Sequence, residues 1–444
     1  MDILACPLPD FERLVRALAS ARNHQVFVHV GIRETPGERE WLVREVILVS
    51  ADSPSPQQRP LFRVTGNANP REQLQNLARP SDPGVAGHLF VGEDATRGQV
   101  CGVVFMPDGP QPLECLYLPG PGMHQIATTP ADEALRLAHE WGDSAVQLNR
   151  WSRTIGALGG IQVWQRLVGL KMGVIGCGRT GSLLATALVR LGVRSLTLID
   201  PDVIEAHNLG EMDTVTEEDL GAFKVEALAE RLRSLGPRGT TSFQPFPVPV
   251  TEGVVRAAVQ SCEVLFSCVD NDAARLATAL LATLYHRLLI DIGTGIFSEP
   301  AATPPGRRTL GADVRLILPH DGCLLCRGNI TDYVQAVEDL CHGRLPVQQG
   351  GTWRDHRAGL LRSLNDLATG LAVRMLEDLV AEHIETSTWA HLEFSEDGRL
   401  SVTYPMPQGN PIQTTCPLCA KAGQGDEALR WTRSIPDCPM TRMI

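Results

Sequence analysis

The sequence lacks long apolar runs, long basic runs and any evident internal repeat. No window of its 444 residues approaches the roughly 18 consecutive apolar residues that a membrane-spanning helix needs. The formal net charge is -11 and no Lys/Arg cluster appears, so neither nucleic acid nor an anionic membrane is expected as a partner. The first residues show no basic segment followed by an apolar stretch. We therefore expect no secretory signal peptide and predict a cytoplasmic protein.

The 12 cysteines do not predict a disulfide framework, because the chain is long and no secretory signal is expected. Cys177, Cys262 and Cys268 stand in apolar runs. Such cysteines usually behave as small buried hydrophobic side chains, and we expect this of all three.

Four further cysteines form two Cys-x-x-Cys pairs, Cys323 with Cys326 and Cys416 with Cys419. Each pair directs two sulfurs to one point, and two pairs complete a tetrahedron, which predicts a structural zinc site. The separation of the pairs means that the metal would join distant segments. Two unrelated pairs, or a redox pair, are the alternatives.

The patterns predict two domains, residues 1–135 and 136–444. The first contains a helical pattern at 11–21 followed by several strand-like runs, which is typical of a small α+β domain. Between 172 and 292 strand and helix patterns alternate. This alternation predicts a mainly parallel sheet with helices on both faces.

The residues Gly176, Gly178 and Gly181 follow a short apolar run and open a helical pattern. Such a turn presents bare backbone N–H groups at a helix N-terminus, which attracts phosphate. The next apolar run, 195–199, ends at Asp200, about 20 residues further on. A dinucleotide-type site places there the carboxylate that holds ribose hydroxyls.

Further charged residues follow this turn. Asp200 and Asp270 each follow an apolar run, and a carboxylate at the end of a parallel strand suits a Mg²⁺ ion that bridges phosphates. Lys224 begins a helical pattern, from which it can reach the same phosphates. Each residue alone is typical of a solvated surface, but together with the glycine turn they predict an ATP site.

These motifs resemble the superfamily of ubiquitin-activating enzymes and their bacterial relatives, the ThiF- and MoeB-type adenylyltransferases. The resemblance covers residues 148–419 and is carried by Arg150-Trp151-Ser152-Arg153, the glycine turn, the segment Asp200 to Leu209, Lys224, Cys268-Val269-Asp270-Asn271 and both Cys-x-x-Cys pairs. It implies a Rossmann-like ThiF-type adenylation domain with structural zinc, preceded by the small α+β domain.

The resemblance also implies an activity. The family presents ATP·Mg²⁺ to the C-terminal glycine carboxylate of a ubiquitin-like β-grasp protein, forms an acyl-adenylate and releases pyrophosphate. Asp270 is expected to hold Mg²⁺, and Arg153 matches the arginine that family homodimers insert into the neighbouring site. By match, Gly176, Gly178 and Gly181 cradle phosphate, Asp200 takes the ribose hydroxyls, and Asn208 and Lys224 face the phosphates. The candidate ATP-binding residues are these six together with Arg179, Asp202, Asp270 and Asn271.

Two positions depart from the family pattern. Glu211 stands where an Asn-Leu-x-Arg pattern has arginine, and Arg179 replaces the second glycine of a Gly-Gly pair. A carboxylate at 211 repels a triphosphate unless Mg²⁺ or a cation compensates. Arg179, Lys224 and Arg275 are the candidate cations, and weak or lost adenylation is the alternative.

Family members that act beyond the adenylate carry a thioester-forming cysteine, because a thiolate is strongly nucleophilic and leaves well. Cys341 lies near the family position, in a polar, Gly-rich stretch, and is our candidate. A ubiquitin-conjugating-enzyme-like protein is then a possible acceptor. Cys438 is a weaker candidate, and an ordinary cysteine is the alternative.

The first domain weakly resembles a degenerate JAB-type fold, since it has His88-Leu89-Phe90 and not the His-x-His-Pro metal motif. We expect it to be non-catalytic. For the whole chain, the predicted function is activation of a ubiquitin-like protein in a bacterial-type conjugation pathway. The alternatives are adenylation of a sulfur-carrier protein, activation of a small molecule or peptide, and a nucleotide-binding scaffold without turnover.

Overall fold

The structure is a computed structural model. It describes residues 1–20, 24–50, 56, 60–66, 84–92, 100–127, 145–236, 241–296, 310–328, 330, 332–342, 361–395, 397–405 and 416–428. The chain divides into two compact units: the first is Met1–Arg150 with Thr283–His286 and Lys421–Trp431, and the second is Trp151–Ala282 with Arg287–Ala420 and Thr432–Ile444. The predicted domain boundary at 135/136 lies outside the described residues.

The first unit is built on a nine-stranded sheet and helix α1. Its elements are β1 (Asp2–Ala5), α1 (Leu8–Ser20), β2 (His24–Thr35), β3 (Glu38–Ser50), β4 (Leu61–Gly66), β5 (Val85–Val91), β6 (Val100–Met106), β7 (Gly109–Pro112), β8 (Cys115–Leu118), β9 (His124–Ala127) and α2 (Ala145–Arg150). The strand order is β7-β6-β5-β4-β2-β3-β1-β8-β9. Most pairs are antiparallel, but β1 lies parallel to both neighbours and β4 parallel to β5.

Helix α1 forms because its apolar residues repeat at helical spacing. Phe11, Leu14 and Ala17 are three residues apart and buried on one face, where Phe11 and Leu14 join the core of the sheet. The predicted α+β class of this region is confirmed. Sequence patterns missed β1 and β4, because both are short and are defined by their pairing with β3 and β2.

The second unit is built on an eight-stranded sheet. Its elements are α3 (Ser152–Ala157), α4 (Ile161–Gly169), β10 (Lys171–Ile175), α5 (Arg179–Leu191), β11 (Ser195–Ile199), α6 (Lys224–Arg233), β12 (Ser242–Phe246), α7 (Gly253–Ser261), β13 (Val264–Ser267), α8 (Asp272–Leu284, whose last residues count with the first unit), β14 (Leu288–Ile296), β15 (Leu310–Ile317), α9 (Tyr333–His342), α10 (Arg362–Val380), β16 (Thr388–Phe394) and β17 (Leu400–Thr403).

The strand order in this sheet is β12-β11-β10-β13-β14-β15-β16-β17. The first five strands are parallel and the last three are added antiparallel. The three central parallel strands β11, β10 and β13 are fully buried at Leu198, Val174 and Phe266, with 0% exposure each, as expected for a sheet covered by helices. The predicted α/β class with a mainly parallel sheet is confirmed.

Helix α8 ends at Leu284, because His286 adopts a left-handed φ of 53° that a helix cannot continue. Cys341, at the start of the polar, Gly-rich stretch, lies in the last turn of helix α9. In the described part of the chain, no helix combines the length and apolarity needed to cross a bilayer.

Candidate functional site

The carboxyl ends of three parallel strands lie side by side. Ile175 at the end of β10 is in register with Ile199 of β11 and with Ser267 of β13. Beyond the strands, the N–H of Gly176 donates to the carbonyl of Ile199 at 2.9 Å, and that of Cys268 donates to the carbonyl of Ile175 at 2.8 Å. Because β10 lies between β11 and β13, the strand order reverses here, which is where open α/β sheets bind ligands.

The three glycines of the turn have different surroundings. Gly176 has a φ of 87°, and a Cβ there would lie 2.7 Å from the carbonyl oxygen of Cys268. A Cβ on Gly181 would lie 1.9 Å from the carbonyl oxygen of Gly176, so helix α5 packs directly on the turn. At Gly178, no atom of the described residues lies within 4 Å of the Cβ position. Two glycines are therefore needed for packing, and Gly178 leaves room for a ligand to approach the backbone.

Asp200 holds the glycine turn in position. Its carboxylate, 6% exposed as a residue, accepts from the N–H of Cys177 at 2.6 Å and from the N–H of Asp202 at 2.9 Å. Burial raises the pKa of Asp200, while the charge of Lys224 and these hydrogen bonds oppose the rise. Both carboxylate oxygens of Asp200 thus accept hydrogen bonds from backbone N–H groups. Binding of ribose hydroxyls by Asp200 stays a prediction.

Lys224, the first residue of α6, lies among carboxylates. Its Nζ donates to Asp202 at 2.7 Å. Burial by itself lowers the pKa of Lys224, but the charges of Asp200, Asp202 and Asp270 outweigh burial and the pKa is raised. Lys224 is therefore an ammonium ion at neutral pH. The structure brings these four sequence-predicted residues together, and their contacts with ATP or Mg²⁺ stay predictions.

The loop after β13 supplies an exposed carboxylate beside a helix cap. Asp270 is exposed, and its neighbour Asn271 accepts from the N–H of Ala274 at 2.8 Å, which begins helix α8. An exposed carboxylate at the end of a parallel strand fits the oxygen-ligand chemistry of Mg²⁺. Asn271 has a structural role in this loop, in addition to any contact with a nucleotide.

Arg275 is fully engaged within the same loop region. Its Nε contacts the buried Asp291 at 3.0 Å, one terminal nitrogen lies 3.4 Å from Asp272, and the other donates to the carbonyl of Val269 at 2.9 Å. Sequence analysis missed Asp291. It follows the apolar residues 288–290, and this is the same signal that identified Asp200.

Asn208 forms the hydrogen bonds of the turn that leads into Glu211. Its Oδ1 accepts from the N–H of Glu205 at 2.9 Å, and its carbonyl accepts from the N–H groups of Glu211 and Met212 at 3.0 and 2.8 Å. Glu211 forms an ion pair with Arg179, the first residue of α5. The two residues that depart from the family pattern are therefore in contact with each other.

Asn365 of α10 is a second residue that sequence analysis missed. Fully buried, it accepts from the hydroxyls of Thr180 and Thr294 at 2.7 and 3.0 Å and donates to the carbonyl of Leu361 at 3.0 Å. It thereby ties the first turn of α5 to β14 and to the start of α10. No sequence signal points to it, because Thr180 is 185 residues away.

Two predicted catalytic residues lie on other helices. Arg153 is exposed on α3, and Cys341 is partly exposed near the end of α9. By contrast, burial raises the pKa values of Cys177, Cys262 and Cys268. Cys177 and Cys262 are buried as expected, whereas Cys268 is of intermediate exposure as a residue. Cys438 lies outside the described residues.

The two Cys-x-x-Cys pairs come together. The ligand atoms of Cys323, Cys326, Cys416 and Cys419 all lie within 4.8 Å of one another, and three of the sulfur pairs are 3.5, 3.6 and 3.7 Å apart. A tetrahedral zinc ion with Zn–S bonds of about 2.3 Å separates its sulfurs by about 3.8 Å, so the cluster fits zinc. Hydrogen bonding from Cys419 lowers the pKa of Cys323, while burial raises the pKa of Cys416 and the contact with Cys323 raises that of Cys419.

The comparisons with known proteins agree with this geometry. Residues 147–338 match the model of the ThiF family. Ubiquitin-like modifier-activating enzyme 5 of Aedes aegypti is 25% identical over 51% of this chain and 59% of its own length. The adenylyltransferase and sulfurtransferase uba4 of Aspergillus fumigatus is 28% identical over 30% of this chain and 26% of its own length.

The chain thus spans between about a quarter and three-fifths of the length of these relatives. Among solved structures, that of E. coli MccB with ATP has a TM-score of 0.45 and 17% identity, and the match covers 66% of this chain and 82% of that chain. The structure of PaaA has a TM-score of 0.44 and 14% identity, covering 62% of this chain and 91% of that one.

Proposed function

We propose that this chain is an enzyme that uses ATP to adenylate the C-terminal glycine carboxylate of a small β-grasp protein. The observation that carries the proposal is the convergence of the glycine turn, Asp200, Lys224 and Asp270 at the carboxyl ends of β10, β11 and β13. The names of the relatives, a modifier-activating enzyme and an adenylyltransferase, support the same activity.

In the proposed reaction, a carboxylate oxygen of the partner attacks the α-phosphorus of ATP. A bond forms between that oxygen and the phosphorus, the bond to the β-phosphate bridging oxygen breaks, and pyrophosphate leaves. Lys224, held as a cation by its carboxylate neighbours, offsets negative charge on the phosphates. Mg²⁺, held by Asp270, supplies further charge neutralisation when it is bound.

Arg153 is the proposed partner-site residue of a homodimer. It is exposed on α3, so a second copy of the chain can reach it. A positioned arginine in phosphoryl-type transfer contributes on the order of 10³–10⁵ in rate, because the transition state spreads charge over oxygens. Its loss is therefore expected to reduce rate more than ATP affinity.

The experiment that tests the proposal is pyrophosphate exchange with glycine-terminated β-grasp proteins. Labelled pyrophosphate enters ATP only if adenylation is reversible on the enzyme. Asp270→Asn is expected to reduce exchange by at least about 100-fold, since it removes the proposed Mg²⁺ ligand. The control is Asp397→Asn, an exposed aspartate in the turn after β16. Binding of ATP without exchange for any such partner would leave only a nucleotide-binding scaffold.

The destination of the acyl group is tested in the same reaction. We propose that Cys341 accepts the partner as a thioester, because it is partly exposed while Cys177 and Cys262 are buried. A reducible adduct is expected for the wild type and not for Cys341→Ser, with the partly exposed Cys115→Ser as the matched control. An unchanged adduct contradicts the role of Cys341.

The second candidate is a sulfur-carrier pathway. The observation in its favour is the name of the relative uba4, a sulfurtransferase as well as an adenylyltransferase. In that case the partner protein ends as a thiocarboxylate, and mass spectrometry of the partner detects the replacement of oxygen by sulfur. A thioester or isopeptide product points instead to conjugation and to an acceptor that resembles a ubiquitin-conjugating enzyme.

A further inference from the structure

Helix α5 begins with a positive charge. Arg179 is its first residue, next to Gly178, and its side chain is 14% exposed. Cations are unfavourable at this end of a helix, because the helix dipole is positive there. The stability of α5 therefore does not explain this arginine. A guanidinium does match the geometry of carboxylates and phosphates, with which it forms paired hydrogen bonds.

Glu211 provides the anion that Arg179 contacts in this structure. Its segment is attached to the same helix: the N–H of Asp213 donates to the hydroxyl of Ser182 at 2.9 Å, and Arg362 of α10 contacts Asp213 at 2.9 Å. The contact is therefore built by the fold. The Glu211 side chain is 37% exposed, so it can turn into solvent while Arg179 stays at the turn.

The other two candidate cations contact other groups in this structure. Each of the three guanidinium nitrogens of Arg275 contacts Asp291, Asp272 or the carbonyl of Val269. Lys224 donates to Asp202 and lies near Asp200. Among these three cations, Arg179 is the one that contacts Glu211, and it is also adjacent to Gly178, where the backbone faces open space.

We propose that Arg179 binds the outer phosphates of the nucleotide, and that Glu211 is its partner until a nucleotide displaces it. The proposal rests on the proposed function only in taking the glycine turn as a nucleotide site. Glu211 then acts as a competitor within the protein. Glu211 lowers the affinity for every nucleotide that must break the Arg179–Glu211 ion pair. A nucleotide with more phosphate charge displaces Glu211 more readily.

The test is equilibrium binding of ATP and AMP by titration calorimetry, with the full chain. Arg179→Ala is expected to weaken ATP by about tenfold or more and AMP by less than about threefold, because AMP lacks the outer phosphates. Glu211→Gln is expected to tighten ATP by about three- to tenfold, since Arg179 is released and the repulsion of the carboxylate is removed. In the double variant, the gain from Glu211→Gln is expected to shrink.

The matched controls are Arg233→Ala and Glu230→Gln, an exposed Arg–Glu pair on α6 with a separation of 2.8 Å. Thermal unfolding of each variant shows that it is folded. Unchanged ATP binding by Arg179→Ala, or equal losses for ATP and AMP, overturns the inference and leaves the proposed function standing. The expected binding pattern without pyrophosphate exchange supports the inference and overturns the proposed function. A wild type that binds no ATP overturns both.

Discussion

The two sheets bury charge in opposite ways. In the first unit, Arg33 of β2 and Glu40 of β3 face each other across an antiparallel pair at 2.7 Å, and both side chains are 3% exposed. In the second unit, the charges of Asp200 and Lys224 lie beyond the ends of parallel strands, beside the exposed Asp270.

The difference shows how topology divides stability from function. An antiparallel register places Arg33 and Glu40 opposite each other, so their charges are paired within the sheet. Parallel strands bring their carboxyl ends to one edge, so charged residues from separate loops gather there. In the first arrangement the two charges neutralise each other within the sheet. In the second, charged residues gather at the edge of the sheet, where a ligand can bind them.

Metal removal sharpens the comparison with the largest expected effect. Structural zinc in small peptides contributes about 10–16 kcal/mol, so stripping the metal, or Cys416→Ser, is expected to destabilise the second unit by several kcal/mol. Hydrogen exchange measures where protection is lost, and we expect loss first in 323–328 and 416–420. Equal loss in β2 and β3 would contradict a separate stability of the first sheet.

Breaking the buried ion pair of Arg33 and Glu40 has the next largest effect. Glu40→Ala leaves Arg33 buried with Glu38 as its remaining carboxylate contact among the described residues, and is expected to lower the free energy of unfolding by about 3 kcal/mol. Urea unfolding measures this. Glu45→Ala, exposed on the same strand, is the control and is expected to cost less than about 0.5 kcal/mol. ATP binding is expected to be unchanged, and a parallel loss of binding would break the comparison.

The smallest effect concerns the cluster of Asp200, Lys224 and Asp270. It appears in the pH dependence of the free energy of unfolding. The pKa of Lys224 is raised above 10.5 in the folded state by its carboxylate neighbours. Its ionic contribution is therefore fully present below the unfolded pKa and is lost as pH rises through the raised value. The stability difference between wild type and Lys224→Met is expected to stay constant up to about pH 10 and to shrink as the pH rises further.

Urea unfolding across that range measures the difference, and Lys171→Met, an exposed lysine of β10, corrects for the general loss of a cation. A difference that grows with pH would mean that the carboxylates around Lys224 do not stabilise its charge.

Local signals predicted much of the second unit. The ends of β11 were predicted to the residue, and all four cysteines that come together were identified, because strand patterns and Cys-x-x-Cys turns are short-range features. Asp291 had a local signal that was overlooked. Asn365 had none, because its bonds to Thr180 and Thr294 join segments that are distant in the chain.

The sequence by itself determined the α/β class, the glycine turn, the carboxylates that follow the strands and the four sulfur ligands. Each of these follows from the spacing of neighbouring residues. Only the tertiary structure decided which charges meet: that Lys224 lies among three aspartates, and that Arg179 pairs with Glu211. Those contacts depend on strand order and helix packing, because they join residues that the chain alone keeps apart.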